Sequence, residues 1–223
     1  MDCGLRFFES LGEVDYTTAL QLDGAFSVTH INSGMAPVFN RTDARNLAVV
    51  SRKSSLSMKD EIEDVIERLK SFDGTEQNYS KEDRIQLWRA YWEEYINAFD
   101  NLVQILPKSV VTLYVGRHAV ELGLKYMLIN TNTSIPNHHR LEDLAKLVFD
   151  VNRIEEDYMN DIVFFCESYA KYIEGENVEF FRFPEYKNGY FAGNRLDIKW
   201  LSYNFALIIL KLMHFTGLDE CAD

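Results

Sequence analysis

Apolar residues recur at intervals of three and four positions through most of the chain after residue 54, and this spacing predicts amphipathic helices that each bury one face. The predicted helices, in chain order, cover residues 55–72, 80–106, 109–129, 141–148, 154–173 and 197–217. The fold class that follows is mainly α. We expect an up-and-down bundle of about five helices.

The first 54 residues follow a different pattern. Residues 16–31 alternate between apolar and polar around Asp23-Gly24, which is the strongest short-range signal for a β-hairpin. Residues 32–54 contain Gly, Pro, Asn and Ser without a clear period, so we interpret them as a connection. The sequence therefore predicts two parts, an N-terminal segment (1–54) with a small β-hairpin and a helical bundle (55–223).

Local residues mark the predicted helix ends. Ser80 and Asp83 are spaced like a capping box, and Pro107 ends the helix that they begin. Asp197 is placed to cap the last helix, and Gly217 to end it. Small residues on one flank of the 109–129 helix predict close approach of a neighbouring helix: Thr112, Gly116, Ala119 and Gly123.

Composition narrows the class of protein. The chain has 223 residues and is 47% hydrophobic, which is enough to build a sizeable core. Its 23 Lys and Arg against 35 Asp and Glu give a formal charge of −12. That charge repels phosphate at long range, so we expect no generic binding to duplex DNA or to anionic membranes.

The cysteines and the N-terminal residues indicate the cellular compartment of the protein. Cys3, Cys166 and Cys221 are an odd, widely spaced set without metal-ligand spacing, which predicts neither a disulfide framework nor a zinc ribbon. The N-terminus carries acidic residues where a signal peptide has basic ones, and no run of apolar residues is long enough to span a membrane. We therefore expect a cytoplasmic protein.

The candidate chemistry begins on the 109–129 helix. Its polar side chains Arg117, His118, Glu121 and Lys125 fall within one arc of about 100° on an otherwise apolar helix. One interpretation is a ladder of ion pairs, because Arg117–Glu121 and Glu121–Lys125 have the i,i+4 spacing. The other is a ligand pocket in which Arg117 and Lys125 neutralise a phosphate, His118 donates or shuttles a proton, and Glu121 holds the basic side chains.

A second basic group begins the following helix. His138, His139 and Arg140 precede Leu141, where free backbone N–H groups favour an anion. They are interpreted either as ligand-binding residues of the same pocket or as polar loop residues that close off the helix start.

An aromatic loop is the third candidate element. Residues 174–196 combine Gly, Asn and Pro with six aromatic residues. Either the rings pin the loop to the core, or they form a base-stacking lid over the pocket, with Arg182 on a phosphate.

Metal and cofactor sites are not predicted. His118 and Glu121 with His138 or His139 could be written as a metal set, but this is a single half-motif and a di-iron bundle needs two. The chain has no G-x-S-x-G elbow, no GxxxxGK[ST] loop and no GxGxxG fingerprint. We therefore expect no metal and no cofactor.

The segment RHAVELGLKYMLI followed by HHRLEDLAKLV resembles the HEPN family of helical domains. Ala119, Glu121 and Lys125 match that family's A-x-E-x-x-x-K helix, and His139 begins its H-x-L-x-x-L pattern with Leu141 and Leu144. The stretch FRFPE, with Arg182, is similar to an F-R-Y-P-E loop in some members. The resemblance covers about residues 80–216.

The resemblance implies a helical bundle, a homodimer and a prokaryotic or phage setting of stress or defence such as toxin–antitoxin or antiviral systems. Many members are metal-independent ribonucleases that use an Arg-x(4–6)-His motif, and no arginine of this chain has that spacing to any histidine. We therefore predict a non-catalytic protein that binds a nucleotide, an RNA phosphate or a protein partner. The alternative is a ribonuclease in which His118, with Arg117 or Arg182, replaces the standard pair. A third alternative makes residues 1–54 the binding module and the bundle a dimerisation scaffold.

Overall fold

The structure is a computed structural model. It describes residues 11–22, 24, 26–27, 80–152, 154, 156–175, 181–182, 185–186, 189–190 and 196–218. The chain divides into two compact units, one made of Met1–Val38 and Ile85–Asp223 and the other of Phe39–Arg84. The helices and the site described below lie in the first unit, apart from the opening residues of the first helix.

The described part of the chain is mainly helical, which confirms the predicted fold class. Its elements are α1 (Lys81–Ile105), α2 (Val110–Asn130), α3 (Leu141–Asn152), α4 (Glu156–Tyr169), a π-helical turn (Ala170–Glu174), β1 (Glu185–Tyr186), β2 (Gly189–Tyr190) and α5 (Ile198–Phe215). The two short strands pair antiparallel, with Glu185 opposite Tyr190.

The residues predicted to mark helix ends at Ser80, Asp197 and Gly217 do so in the structure. The Ser80 hydroxyl accepts from the Asp83 N–H at 3.1 Å, and the Asp83 carboxylate accepts from the Ser80 N–H at 3.3 Å, so the capping box is present. The Asp197 side chain accepts from the Trp200 N–H at 2.9 Å. Gly217 has a φ of +66°, the left-handed conformation that ends many helices.

Helix α2 lies at the centre of the core and packs mainly against α5 and α3. Its small flank allows the close approach that the sequence predicts. A Cβ added at Gly116 would lie 2.5 Å from a ring carbon of Phe99, and one added at Gly123 would lie 2.7 Å from Trp92. The Trp92 indole also donates to the Ala119 carbonyl at 2.8 Å. Glycine at these two positions therefore makes room for aromatic rings of α1.

The described first arm of the predicted hairpin contains no strand. Residues 16–22 run irregularly along α5, whose side chains take the place of a strand partner. The Gln21 N–H donates to Asn204 at 2.8 Å, and the Gln21 carbonyl accepts from the Trp200 indole at 3.0 Å. The Lys211 ammonium donates to the carbonyls of Tyr16 and Thr18, each at 2.7 Å. These bonds satisfy backbone groups that a hairpin would pair, and residues 28–31 of the second arm lie outside the described residues.

Several other predictions fall outside the described residues: the helix at 55–72, the connection at 32–54, the boundary between 54 and 55, and the cysteines Cys3 and Cys221. Cys166 is a buried free thiol, and burial raises its pKa. Among the described helices, none combines the length and apolar character that crossing a membrane requires.

Candidate functional site

The polar stripe of α2 forms a buried ionic network around Glu121. Arg117, Glu121 and Lys125 are 4%, 2% and 7% exposed. The Arg117 Nη1 donates to Glu121 Oε2 at 2.5 Å, and the Lys125 Nζ donates to Glu121 Oε1 at 2.8 Å. Both predicted i,i+4 pairs are therefore present, and they lie inside the protein instead of on a solvated face.

Two histidines contact the same carboxylate from outside the core. His139 Nδ1 lies 2.7 Å from Glu121 Oε1, and His118 Nδ1 lies 3.8 Å from Glu121 Oε2. Because an ionised carboxylate only accepts hydrogen bonds, the His139 Nδ1 carries the proton in this contact. The side chains of His139 and His118 are 58% and 24% exposed. The two rings therefore connect the buried carboxylate with solvent.

Arg117 joins α2 to two other parts of the fold. Its Nε donates to Glu174 Oε1 at 2.7 Å and its Nη2 to Glu174 Oε2 at 3.3 Å. Its Nη2 also donates to the backbone carbonyl of His139. With the bond to Glu121, four of the five N–H groups of the guanidinium are bound inside the protein. Arg117 is thus a structural cross-link between α2, the start of α3 and the end of α4.

The chain segments that carry these residues are held by local geometry. Helix α2 ends where Asn132 adopts a φ of +59°, and the Thr133 N–H then donates to the Leu128 carbonyl at 2.8 Å. This turn returns the chain towards α2. It brings His139, which directly precedes Arg140 and α3, back to a glutamate one turn of helix after Arg117.

Glu174 was not predicted as a site residue. It closes the π-helical turn, in which the Gly175 N–H donates to the Ala170 carbonyl at 2.7 Å, an i→i+5 bond. This wider turn changes the direction in which residue 174 points, so a regular helical period does not place it on the face that meets Arg117. The local sequence signal for this site residue is a glutamate followed directly by a glycine at the end of an apolar helix. In the structure that glycine, Gly175, has a φ of +57°.

Electrostatics favours the ionised form of Glu121. Burial by itself would raise its pKa, but interactions with His118 and Lys125 and the charge of Arg117 outweigh burial and hold the pKa well below the usual range. Glu174 differs, because burial raises its pKa and Arg117 offsets that effect only in part. For Arg117, attraction to Glu174 outweighs burial and raises the pKa.

The network balances its own charge. Two cations, Arg117 and Lys125, face two carboxylates, Glu121 and Glu174, so the pair of basic residues is not an open bank of positive charge. Lys125 still retains donors, since only one of its three N–H groups has a partner among the described residues. Its Nζ and the His139 Nδ1 bind the same oxygen and lie no more than 5.5 Å apart, the sum of 2.7 and 2.8 Å. We call His118, Lys125 and His139 the basic rim.

The remaining predicted site residues differ in their exposure and in their partners. Arg140 is exposed and pairs with Glu142 at 2.5 Å and with Asp143 at 3.4 Å. His138 is partly buried, and among the described residues its Nδ1 has no hydrogen-bond partner. Arg182 is exposed.

The aromatic loop is described only in part. Phe181 is buried, with its ring centroid 6.4 Å from that of Tyr169, as expected for a ring that pins the loop to the core. Phe180 and Phe183 lie outside the described residues. The lid remains a prediction.

Within the described residues, no group of His, Cys, Asp and Glu side chains is arranged to hold a metal ion. Comparison of the chain with protein-family models, with curated proteins and with solved structures gives no match.

Proposed function

We propose that this chain is a non-catalytic HEPN-like helical protein that binds the phosphate group of a nucleotide or of RNA at the basic rim. The resemblance supplies the proposed setting, prokaryotic or phage stress or defence. Homodimer formation, a protein partner and a cytoplasmic location remain part of the prediction from sequence.

One observation supports this proposal most directly: the three side chains of the basic rim converge on one buried carboxylate. Lys125 and His139 contact one oxygen of Glu121, and His118 lies near the other. Because Glu121 orients the Nδ1 of His139 inward, the Nε2 of this exposed ring is left for a ligand: it donates to a phosphate oxygen when the ring is protonated and accepts from a phosphate hydroxyl when the ring is neutral. Lys125 keeps two N–H groups. The Lys125 ammonium is a charged donor, and charged donors bind phosphate oxygens more strongly than neutral ones.

The internal bonds of Arg117 count against the ribonuclease alternative that depends on it. A guanidinium that stabilises the charge of a reacting phosphate must direct its N–H groups at that phosphate. Four of the five N–H groups of Arg117 are directed at Glu121, Glu174 and the His139 carbonyl instead.

Calorimetry with ribose phosphate as the probe tests phosphate binding without a base. We expect millimolar or tighter binding in the parent chain, and we expect Lys125→Gln to weaken it by about tenfold or more, the loss expected for a hydrogen bond to a charged group. Lys146→Gln is the matched control. It removes the same charge from an exposed lysine that pairs with Glu167, and should leave the affinity unchanged.

Two results would overturn the proposal. One is the absence of any heat or any thermal stabilisation at millimolar ribose phosphate, because a ligand that binds the folded state must stabilise it. The other is equal weakening in both lysine variants.

The non-catalytic part of the proposal is tested by incubating the chain with single-stranded RNA and a metal chelator. We expect intact RNA, and cleavage that disappears in His118→Ala at an unchanged melting temperature would show an enzyme instead.

A further inference from the structure

Three tyrosines, of which one is exposed and two are partly buried, form a cluster beside the basic rim. Tyr91 and Tyr95, one turn apart on α1, have ring centroids 5.2 Å apart, and Tyr95 lies 4.6 Å from the His118 ring. Tyr114, one turn before His118 on α2, has its ring nearly parallel to the imidazole at 6.2 Å. We call Tyr91, Tyr95 and Tyr114 the tyrosine cluster. Tyr91 is 47% exposed, an unusual amount for so large a ring.

The cluster is polar at its edges without being basic. Interaction with the Tyr91 hydroxyl and partial burial raise the pKa of Tyr95 to about 12, with smaller contributions from Tyr114 and Glu94. The Tyr95 phenol therefore stays neutral at physiological pH. The nearby Glu94 carboxylate repels a phosphate, so this surface suits an uncharged flat group with hydrogen-bonding edges.

His118 connects the cluster with the phosphate site. Its Nδ1 faces Glu121 at 3.8 Å while its ring contacts Tyr95 and Tyr114. The imidazole thus neighbours both the Glu121 carboxylate and the tyrosine rings. A ligand with a phosphate at the rim thus has the tyrosines within reach of the group next to that phosphate.

We propose that the tyrosine cluster is the base-binding half of the site, so that the ligand is a nucleoside phosphate whose base stacks on Tyr91 while its phosphate lies at Lys125 and His139. This inference rests on the proposed function and specifies the ligand. Stacking on aromatic side chains tolerates every base, and it is how proteins bind nucleotides of single strands. A duplex keeps its bases stacked inside, and its dense backbone charge meets a chain of net charge −12.

The test compares adenosine monophosphate with ribose phosphate, which differ by the base. We expect the nucleotide to bind at least roughly tenfold more tightly, and we expect Tyr91→Ala to remove that preference by weakening nucleotide binding about 5- to 150-fold, the range for one base–aromatic stack. Tyr91→Trp should keep the preference. Phe164→Ala, which removes a similarly exposed ring from α4, should leave both affinities unchanged.

The outcomes separate this inference from the proposed function. If both ligands bind equally, the base is not recognised and the inference is wrong while phosphate binding stands. If neither binds, both proposals fall. If Tyr91→Ala changes the molar mass of the chain in solution but not the affinity for the nucleotide, the cluster is a protein interface and the inference is wrong. A short single-stranded oligoribonucleotide that binds more tightly than the free nucleotide would identify RNA as the source of the nucleoside phosphate, and the reverse order would identify a free nucleotide.

Discussion

Replacing Glu121 with glutamine removes one negative charge from the centre of the buried network and keeps the shape of the side chain. The parent network pairs two cations with two carboxylates. In Glu121→Gln, Glu174 is the carboxylate of the network that remains. Of the two cations, it binds Arg117 and not Lys125. Lys125 is then left nearly buried without a carboxylate partner.

The expected cost follows from that uncompensated charge. Breaking a buried ion pair by removing one partner costs about 3–5 kcal/mol. In a protein of this length each kcal/mol lowers the melting temperature by roughly 2–4 °C, so the variant should melt about 6–20 °C below the parent. A stability of about 5–15 kcal/mol is common for folded domains, so we expect the variant to remain folded at room temperature.

Helix α1 offers a matched control. Arg89 and Glu93 form an i,i+4 pair of the same type, 3.0 Å long, with side chains 38% and 34% exposed. Glu93→Gln should cost no more than about 0.5 kcal/mol, the value for a solvated helical pair. Urea unfolding of both variants measures the difference. Equal losses, or a loss below about 1 kcal/mol in Glu121→Gln, would refute the view that burial makes this pair structurally important.

Three further predictions concern pH, packing and the N-terminal segment. The pKa of Glu121 is lowered in the folded state, so the ionised carboxylate stabilises the fold above the unfolded pKa of about 4.3, and this stabilisation is lost as pH falls through the lowered pKa. When the free energy of unfolding is measured against pH in acid, it should therefore fall less steeply in Glu121→Gln than in the parent chain. Gly116→Ala should lower the unfolding free energy by about 1–3 kcal/mol in denaturant titration, because its Cβ would meet Phe99 at 2.5 Å, and this outweighs the helical preference for alanine. Lys211→Met removes the ammonium that binds two backbone carbonyls of residues 11–22, so hydrogen exchange there should speed up while α2 stays protected.

The helices were predictable because local residues determine them. The Ser80–Asp83 capping box, the Asp197 cap and Gly217 each act through bonds to neighbours in sequence, and the structure contains all three. The strand predicted at residues 16–22 was wrong, because its backbone partners are not determined locally. Alternation of apolar residues describes which side chains are buried, whereas the backbone partners come from Asn204 and Trp200, far away in sequence.

The site was predictable only for its members on α2 and at the start of α3. Arg117, Glu121 and Lys125 share a helical face by spacing, and the network confirms that they meet. The sequence left open whether the stripe faces water or the core, because spacing does not specify burial. Glu174 required knowledge of a π-helical turn, and the sequence analysis assigned Tyr91 no role.

Burying Arg117 changes what the basic residues can contribute to a ligand. An exposed arginine would attract a phosphate by its charge, but here Glu121 and Glu174 already neutralise it and fix its position. Its remaining effect is geometric: it binds the His139 carbonyl while Glu121 binds the His139 ring, so backbone and side chain of this exposed residue are both held. A ring that is oriented before binding loses less conformational entropy when a ligand arrives. The proposed affinity of the basic rim for phosphate therefore depends on the buried network through the position of His139, and weakening that network should reduce ligand binding even where no atom of the ligand is touched.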